Sequence, residues 1–276
     1  MLKLFIEISL IQFSLAVRRL SELVQDQPEL LKYHDGPLLT GRIKINLIWY
    51  GNFKPSERAI IADFVTSLSS KSLSSQKSQP TVAQWWSSAE KYYHLDSRKP
   101  SLSLSLGKQI LDEHCSLGKS LKDKQIIELV SKGDQKDTIN VVLTASDVTV
   151  EGSTQCPGQC AWPFYRPIYG PQSPPLIAPN DNVGLDGMVI NLASLFAGTV
   201  TNPFGNGYFQ GQAKAPLEAS SACPGIYGKG AYPGYAGKLL VDSSTGASYN
   251  AHGDHGSKYL LPALYDPATL SCKTLV

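Results

Sequence analysis

The hydrophobic and polar positions between residues 42 and 68 predict a strand followed by a helix. The segment RIKINLIWYG, residues 42–51, alternates polar and apolar residues and ends in aromatics, and Gly51 closes it. Pro55 then opens a segment with apolar residues at helical spacing that extends to Leu68.

Further elements follow the same logic. Pro80 and Thr81 begin a second helix with large aromatics, residues 101–106 (SLSLSL) alternate as a strand does, residues 119–133 have helical spacing, and residues 138–150 form a strongly apolar strand. This order predicts an α/β (α+β) fold: a mixed sheet with strands near 43–50, 101–106 and 138–150, flanked by helices.

After Val150 the chain becomes rich in Gly, Pro and aromatic residues, and one helix stands out at residues 186–200. This helix is apolar almost all round, so we expect it to be buried, crossing under the sheet. Its weakly polar stripe consists of Asn191, Ser194 and Gly198, which share one helix face. A ligand approaching the helix would meet this stripe.

Composition adds limits on domain number and partners. The 276 residues are 42% hydrophobic and carry a formal net charge of +2 without a dense Lys/Arg block, which suits one compact unit and argues against nucleic acid as a partner. Residues 1–22 are interpreted as a signal peptide, with an amphipathic first helix as the alternative, and 23–276 as a single domain. No later run approaches the roughly 20 apolar residues of a spanning helix.

The five cysteines favour disulfides over zinc. Cys115 stands apart, whereas Cys156, Cys160, Cys223 and Cys272 lie in the loop-rich second half. Cys156 and Cys160 are spaced like half of a zinc site but lack a second nearby pair of ligands. Cys223–Cys272 is the pairing that we expect most, because neither cysteine has a nearer partner.

No residue set completes a catalytic motif. Ser194 lies within a helix without a nucleophile turn, which favours a structural role. His252 and His255 sit among glycines, and Glu218 is a lone loop carboxylate, so solvated side chains are favoured over a metal pair. The glycine clusters GIYGKGAYPGYAG and PFGNGYFQG fit no phosphate-binding motif. Their tyrosines favour rigid packing, with a sugar-stacking surface at Tyr232 and Tyr235 as the alternative.

Long motifs resemble one plant family. Segments that include KYHDGPLLTGRIKINLIWYGNF, PTVAQWWSSAEKYYHL, MVINLASLFAGTVTNPFGNGYFQG and GIYGKGAYPGYAGKLLVDSSTGASYNAHG are similar to the EXORDIUM (phosphate-induced protein 1) family, from about Leu23 to Val276. The resemblance implies a secreted apoplastic or cell-wall protein in brassinosteroid- and nutrient-responsive growth, with no established enzymatic activity. Family members usually carry a further segment with a Cys pair where Glu151 and Gly152 here join Ser153 directly.

A more distant resemblance concerns zinc proteases. Their ligand helix runs into a turn that resembles TNPFGNGY, residues 201–208. Superposing the turns puts Ser194 and Gly198 at the two helix ligands, Leu195 at the general base, and Glu218 near a third ligand. Since Ser, Leu and Gly supply neither imidazole nor carboxylate, the resemblance implies a degenerate zincin-like fold without a metal site.

We therefore expect a non-enzymatic extracellular protein without a cofactor, whose partner is an unidentified extracellular protein or a wall glycan. The candidate binding surface comprises Asn191, Ser194, Tyr232 and Tyr235. Two alternatives remain open: a residual metal-dependent hydrolase using His252, His255 and Glu218, and a wall-polysaccharide lectin.

Overall fold

A four-stranded parallel sheet forms the centre of the protein. In the computed structural model, residues 5–7, 31–69, 80–95, 101–151, 162–165, 173–212 and 215–276 are described. The sheet has the order β1-β6-β3-β4, with all neighbours parallel. Its strands are β1 (Phe5–Glu7), β3 (Gly41–Tyr50), β4 (Leu102–Asp112) and β6 (Thr138–Thr144).

Alternation along β3 divides the interior into two cores. Ile45, Leu47 and Trp49 face the larger core, whereas Ile48 and Tyr50 face a smaller one. Residues of α1 (Pro55–Ser67), α2 (Val82–His94) and α4 (Val183–Thr201) pack in the larger core, and α3 (Asp123–Ser131) packs in the smaller one. The predicted α/β class, a sheet flanked by helices, is confirmed.

Paired two-stranded segments surround this centre. Four of them are antiparallel and one is parallel, so the mixture of strand directions occurs between sheets and not within the main one. They are β2 (Lys32–Tyr33) with β8 (Tyr208–Phe209), β5 (Ser120–Leu121) with β7 (Thr149–Val150), β9 (Leu240–Val241) with β10 (Ser248–Tyr249), β11 (Ala251–His252) with β12 (Lys258–Tyr259), and β13 (Leu264–Asp266) with β14 (Ser271–Lys273).

Two predicted strand boundaries were wrong. β4 does not end at residue 106, because the strand passes Gly107 in a bulge where Asn46 Oδ1 accepts a hydrogen bond from Lys108 N at 2.7 Å. The strand predicted over 138–150 stops at Thr144, because a turn closes where Val148 N donates to Ala145 O at 3.0 Å. The remainder forms β7.

The apolar helix α4 is a core helix, as its composition predicts. Leu192, Phe196 and Val200 are fully buried, and the helix packs against α1 and α2 within the core that faces the sheet. Asn182 caps it by accepting a hydrogen bond from Leu185 N at 3.0 Å, so the helix starts three residues earlier than predicted. By length and hydropathy alone α4 could cross a membrane, but core helices share that composition.

The cysteines that the structure describes follow the prediction. Cys223 and Cys272 form a disulfide, which fastens β14 to the turn after Ala219, and Cys115 is a free thiol buried in the smaller core. Cys156 and Cys160 lie outside the described residues. Of the predicted signal peptide only Phe5–Glu7 is described, as the edge strand β1, so that prediction remains open.

Candidate functional site

The end of α4 is built around the side chain of Asn202. Its Oδ1 accepts a hydrogen bond from Gly207 N at 2.7 Å, which folds the TNPFGNG turn back onto the helix. Its Nδ2 donates to Glu218 Oε1 at 2.6 Å. One asparagine therefore fixes both the turn and Glu218, the carboxylate that the protease-like comparison puts near a third ligand.

Glu218 lies beside Gly198 on α4, the position that the comparison equates with the second helix ligand. A Cβ added to Gly198 would stand 3.2 Å from Glu218 Oε2, so the absence of a side chain at Gly198 makes room for the carboxylate. Partial burial raises the pKa of Glu218, and the bond from Asn202 partly offsets this rise.

This arrangement brings no metal ligands together. Ser194, Leu195 and Gly198 are partly buried on α4 and offer no nitrogen or carboxylate donor beside Glu218. Among the described residues, no group of three His, Cys, Asp or Glu side chains is placed to hold a metal ion.

His255 is an anchored residue as well as an exposed one. Its side chain is 74% exposed, yet Nδ1 donates to Asp63 Oδ1 on α1 at 2.7 Å. This hydrogen bond and the charge of Asp63 raise the pKa of His255. The expectation of a merely solvated loop histidine was therefore incomplete.

His252 lies on β11, where its backbone N donates to Pro80 O at 2.9 Å and its ring packs edge-on against Tyr249 at 5.0 Å. Burial and the nearby Lys258 lower the pKa of His252. Its role is to join the β11–β12 hairpin to the start of α2.

The two histidines and Glu218 do not form one site. Asn180 bonds both Asp186, in the first turn of α4, and Lys258 O, which places the β11–β12 hairpin at the start of that helix. Glu218 lies beside Gly198, 12 residues further along α4, or about 18 Å along the axis. His252, His255 and Glu218 therefore cannot act together, as the residual-hydrolase alternative requires.

The tyrosines of GIYGKGAYPGYAG divide between packing and exposure. Tyr227 is buried and donates to Trp162 O at 2.9 Å, as rigid packing predicts. Tyr232 is 61% exposed and its ring lies 5.1 Å from that of Tyr235. Rigid packing therefore holds for Tyr227, whereas the sugar-stacking surface at Tyr232 and Tyr235 stays a prediction.

Tyr235 lines a cavity of about 430 Å³ on the protein surface. The other walls come from Trp162–Pro163, residues 173–177 and the turn from Gly246 to Ser248. Asn191 and Ser194 are not among the described residues that line this cavity, although their neighbour Ile190 packs in the same cluster as Trp162 and Ala236.

Sequence reasoning did not select Trp162, Ile177 or the prolines between them. The available signal was local: aromatics and prolines crowd AWPFY and PQSPP, a composition typical of ordered loops. Their meeting with Tyr235, more than 50 residues away along the chain, required the tertiary structure.

Comparisons with known proteins agree on one family. The profile described as "Phosphate-induced protein 1 conserved region" matches residues 31–153 and 151–275. Protein PHOSPHATE-INDUCED 1 of Nicotiana tabacum is 61% identical over 100% of this chain and 98% of its own length. Protein EXORDIUM of Arabidopsis thaliana is 59% identical over 99% and 98%, and EXORDIUM-like 1 is 58% identical over 88% and 89%.

None of these names is that of an enzyme. No solved structure matches the chain. The sequence motifs, the profile match and the full-length relatives together place this chain in the phosphate-induced protein 1 (EXORDIUM) family.

Proposed function

We propose that this chain is a plant growth-related protein that is secreted into the cell wall and acts there by binding rather than by catalysis. The growth role rests on its membership of the EXORDIUM family, whose names denote no enzyme. The binding role rests on the exposed Tyr232 and the half-buried Tyr235, whose rings are in contact beside a preformed cavity.

The observation that carries the location is the Cys223–Cys272 disulfide. Disulfides persist in oxidising compartments and are rare in the cytosol. This bond joins residues 49 positions apart and holds loop-rich chain that has little regular structure of its own. The apolar run before Ala16 supplies a secretion signal consistent with this location.

One complementation experiment tests location and growth together. A plant line lacking the endogenous protein receives either the full chain or a Leu10→Arg/Ile11→Arg variant, which interrupts the apolar run of the predicted signal. We expect the full chain, and not the variant, to reach the apoplastic wash fluid and restore organ elongation. Retention of the full chain inside cells, or restored growth with the retained variant, would contradict the proposal.

The absence of metal-dependent catalysis has a separate test. Metal analysis of the purified protein, before and after treatment with a chelator, should find no stoichiometric zinc, because no group of three potential ligands occurs among the described residues around Glu218. Stoichiometric zinc that the chelator removes would overturn the non-catalytic proposal.

A further inference from the structure

The cavity beside Tyr235 is held open by backbone hydrogen bonds between its walls. Ser173 N donates to Gly234 O at 2.9 Å, Leu176 N to Pro163 O at 3.0 Å, and Ser248 N to Ile177 O at 3.0 Å. Its volume of about 430 Å³ lies within the roughly 300–1,000 Å³ of small-ligand sites. A ligand therefore meets a preformed site and does not have to order it.

Two aromatic side chains line this cavity. The Trp162 ring is fixed between Gly225, where an added Cβ would stand 3.3 Å from it, and Tyr227, with ring centroids 6.0 Å apart. Tyr235 provides the second ring, and its exposed neighbour Tyr232 extends the aromatic surface beyond the cavity. Rigid aromatic faces of this kind bury flat apolar surface at a low cost in conformational entropy.

No side chain in the described lining of the cavity carries a formal charge. Its described lining combines the hydroxyls of Ser173, Ser248 and Tyr235 with prolines, glycines and aliphatic residues. The nearest acidic side chain on the adjoining β9–β10 turn, Asp242, is already bonded to Lys258. An ionic ligand would lose hydration against this described lining without gaining a counter-charge from it, so the lining favours a neutral ligand.

We propose that this cavity binds a neutral, β-linked glycan of the wall. Sugars whose hydroxyls are all equatorial present flat faces of axial C–H groups, which pack on aromatic rings, while their hydroxyls reach neutral donors and acceptors. A β-1,4-linked gluco- or xylo-configured chain offers such faces on successive residues, which matches the Trp162, Tyr235 and Tyr232 surface. This assignment of the ligand rests on the proposed binding role in the wall.

Calorimetry on the purified chain tests the ligand class. We expect binding to cellohexaose or xyloglucan oligosaccharides and none to oligogalacturonate. Tyr235→Ala should weaken binding about tenfold, since one aromatic stacking contact contributes roughly that much, whereas Tyr235→Phe retains most of it. Leu95→Ala, which alters an exposed apolar residue at the end of α2, is the matched control and should bind as wild type.

Two variants of opposite charge at the rim of the cavity distinguish neutral from acidic ligands. Ile177 lines the cavity and is 53% exposed, so Ile177→Lys and Ile177→Glu change its charge without disturbing the core. A neutral glycan predicts equal effects of the two variants. Binding of oligogalacturonate by wild type that Ile177→Glu weakens would show an acidic ligand and overturn the inference.

The outcomes separate this inference from the proposed function. If the protein is secreted and restores growth but binds no neutral glycan, the proposed function stands and the assignment of this ligand is rejected. Binding of neutral glycans that Tyr235→Ala does not affect would also overturn the assignment of the site. If the protein binds the glycan but remains inside the cell, the assignment of the binding site stands and the proposed location in the wall is rejected.

Discussion

The carboxylate of Glu218 rests against the backbone of Gly198, and a Cβ at Gly198 would stand 3.2 Å from Glu218 Oε2. A glycine within a helix costs about 1 kcal/mol relative to alanine. At this position the glycine leaves room for the carboxylate of Glu218, which accepts a hydrogen bond from Asn202, and this contact offsets the cost.

A double-mutant cycle measures this contact. Gly198→Ala alone should give little stabilisation, because the gain in helix propensity is offset by displacement of the carboxylate. In a Glu218→Ala background the same substitution should stabilise the protein by about 1 kcal/mol. Urea unfolding gives the four free energies, and equal effects of Gly198→Ala in both backgrounds would show that the two residues are not coupled.

Gly253 lies so close to Asp63 that no larger residue fits without a shift of its neighbours. A Cβ at Gly253 would lie 2.1 Å from Asp63 Oδ2 and 2.8 Å from Tyr259 Cε2, in the network that also holds His255. Gly253→Ala should therefore destabilise the protein by roughly 1–3 kcal/mol in thermal or urea unfolding.

Gly184 provides the control for this prediction. It is exposed in the first turn of α4, and an added Cβ would find no atom closer than 3.5 Å. Gly184→Ala should not destabilise the protein, and the gain in helix propensity should stabilise it by up to about 1 kcal/mol. A similar effect of the two substitutions would contradict the close approach at Gly253.

Removing the disulfide should cost about 4 kcal/mol, since the bond closes a loop with a sequence separation of 49 residues in the unfolded chain. The comparison is urea unfolding of Cys223→Ser/Cys272→Ser against wild type. Cys115→Ala removes a cysteine without removing the bond, and it should change stability far less. Peptide mapping that finds Cys272 joined to another cysteine would contradict the described pairing.

Asp186 predicts a pH dependence with a defined sign. Burial raises its pKa from 3.8 to about 6, against the lowering effect of the bonds from Asn180. Between these two values the folded protein binds a proton that the unfolded chain has released. The stability contributed by Asp186 is therefore complete below pH 3.8 and falls as the pH rises to about 6.

Comparison with Asp186→Asn isolates this dependence. The shift of about two units corresponds to about 3 kcal/mol. The free energy of unfolding of wild type, relative to that of the variant, should therefore fall by up to that amount between pH 4 and pH 6. Unfolding curves across this range provide the measurement, and a constant difference would show that Asp186 titrates normally in the folded protein.

The elements of the larger core were readable from the sequence because their patterns are local. α4 lacks a strongly polar face, and this property dictates its burial without knowledge of the neighbours. The alternation of β3 indicates a strand, but not that both of its faces are buried from Ile45 to Tyr50. The continuation of β4 past Gly107 was not readable, because the bulge depends on Asn46 of the adjacent strand.

The candidate sites show the same division. Tyr232 and Tyr235 could be chosen from sequence, since they lie three residues apart among glycines. Trp162 and Ile177 reach the same cavity by tertiary folding, and nothing in their own segments indicates the tyrosines. Likewise His255 has its partner Asp63 192 residues away, so its anchoring role has no sequence signature.

The burial of Cys115 has a consequence for how the chain matures in an oxidising compartment. Burial raises the pKa of its thiol, which reduces the thiolate available to attack a disulfide. The residues that enclose it lie between Ile48 and Val150, so this core can close before Cys223 and Cys272 leave the ribosome. The order of synthesis thus separates the thiol that must stay reduced from the two that must pair.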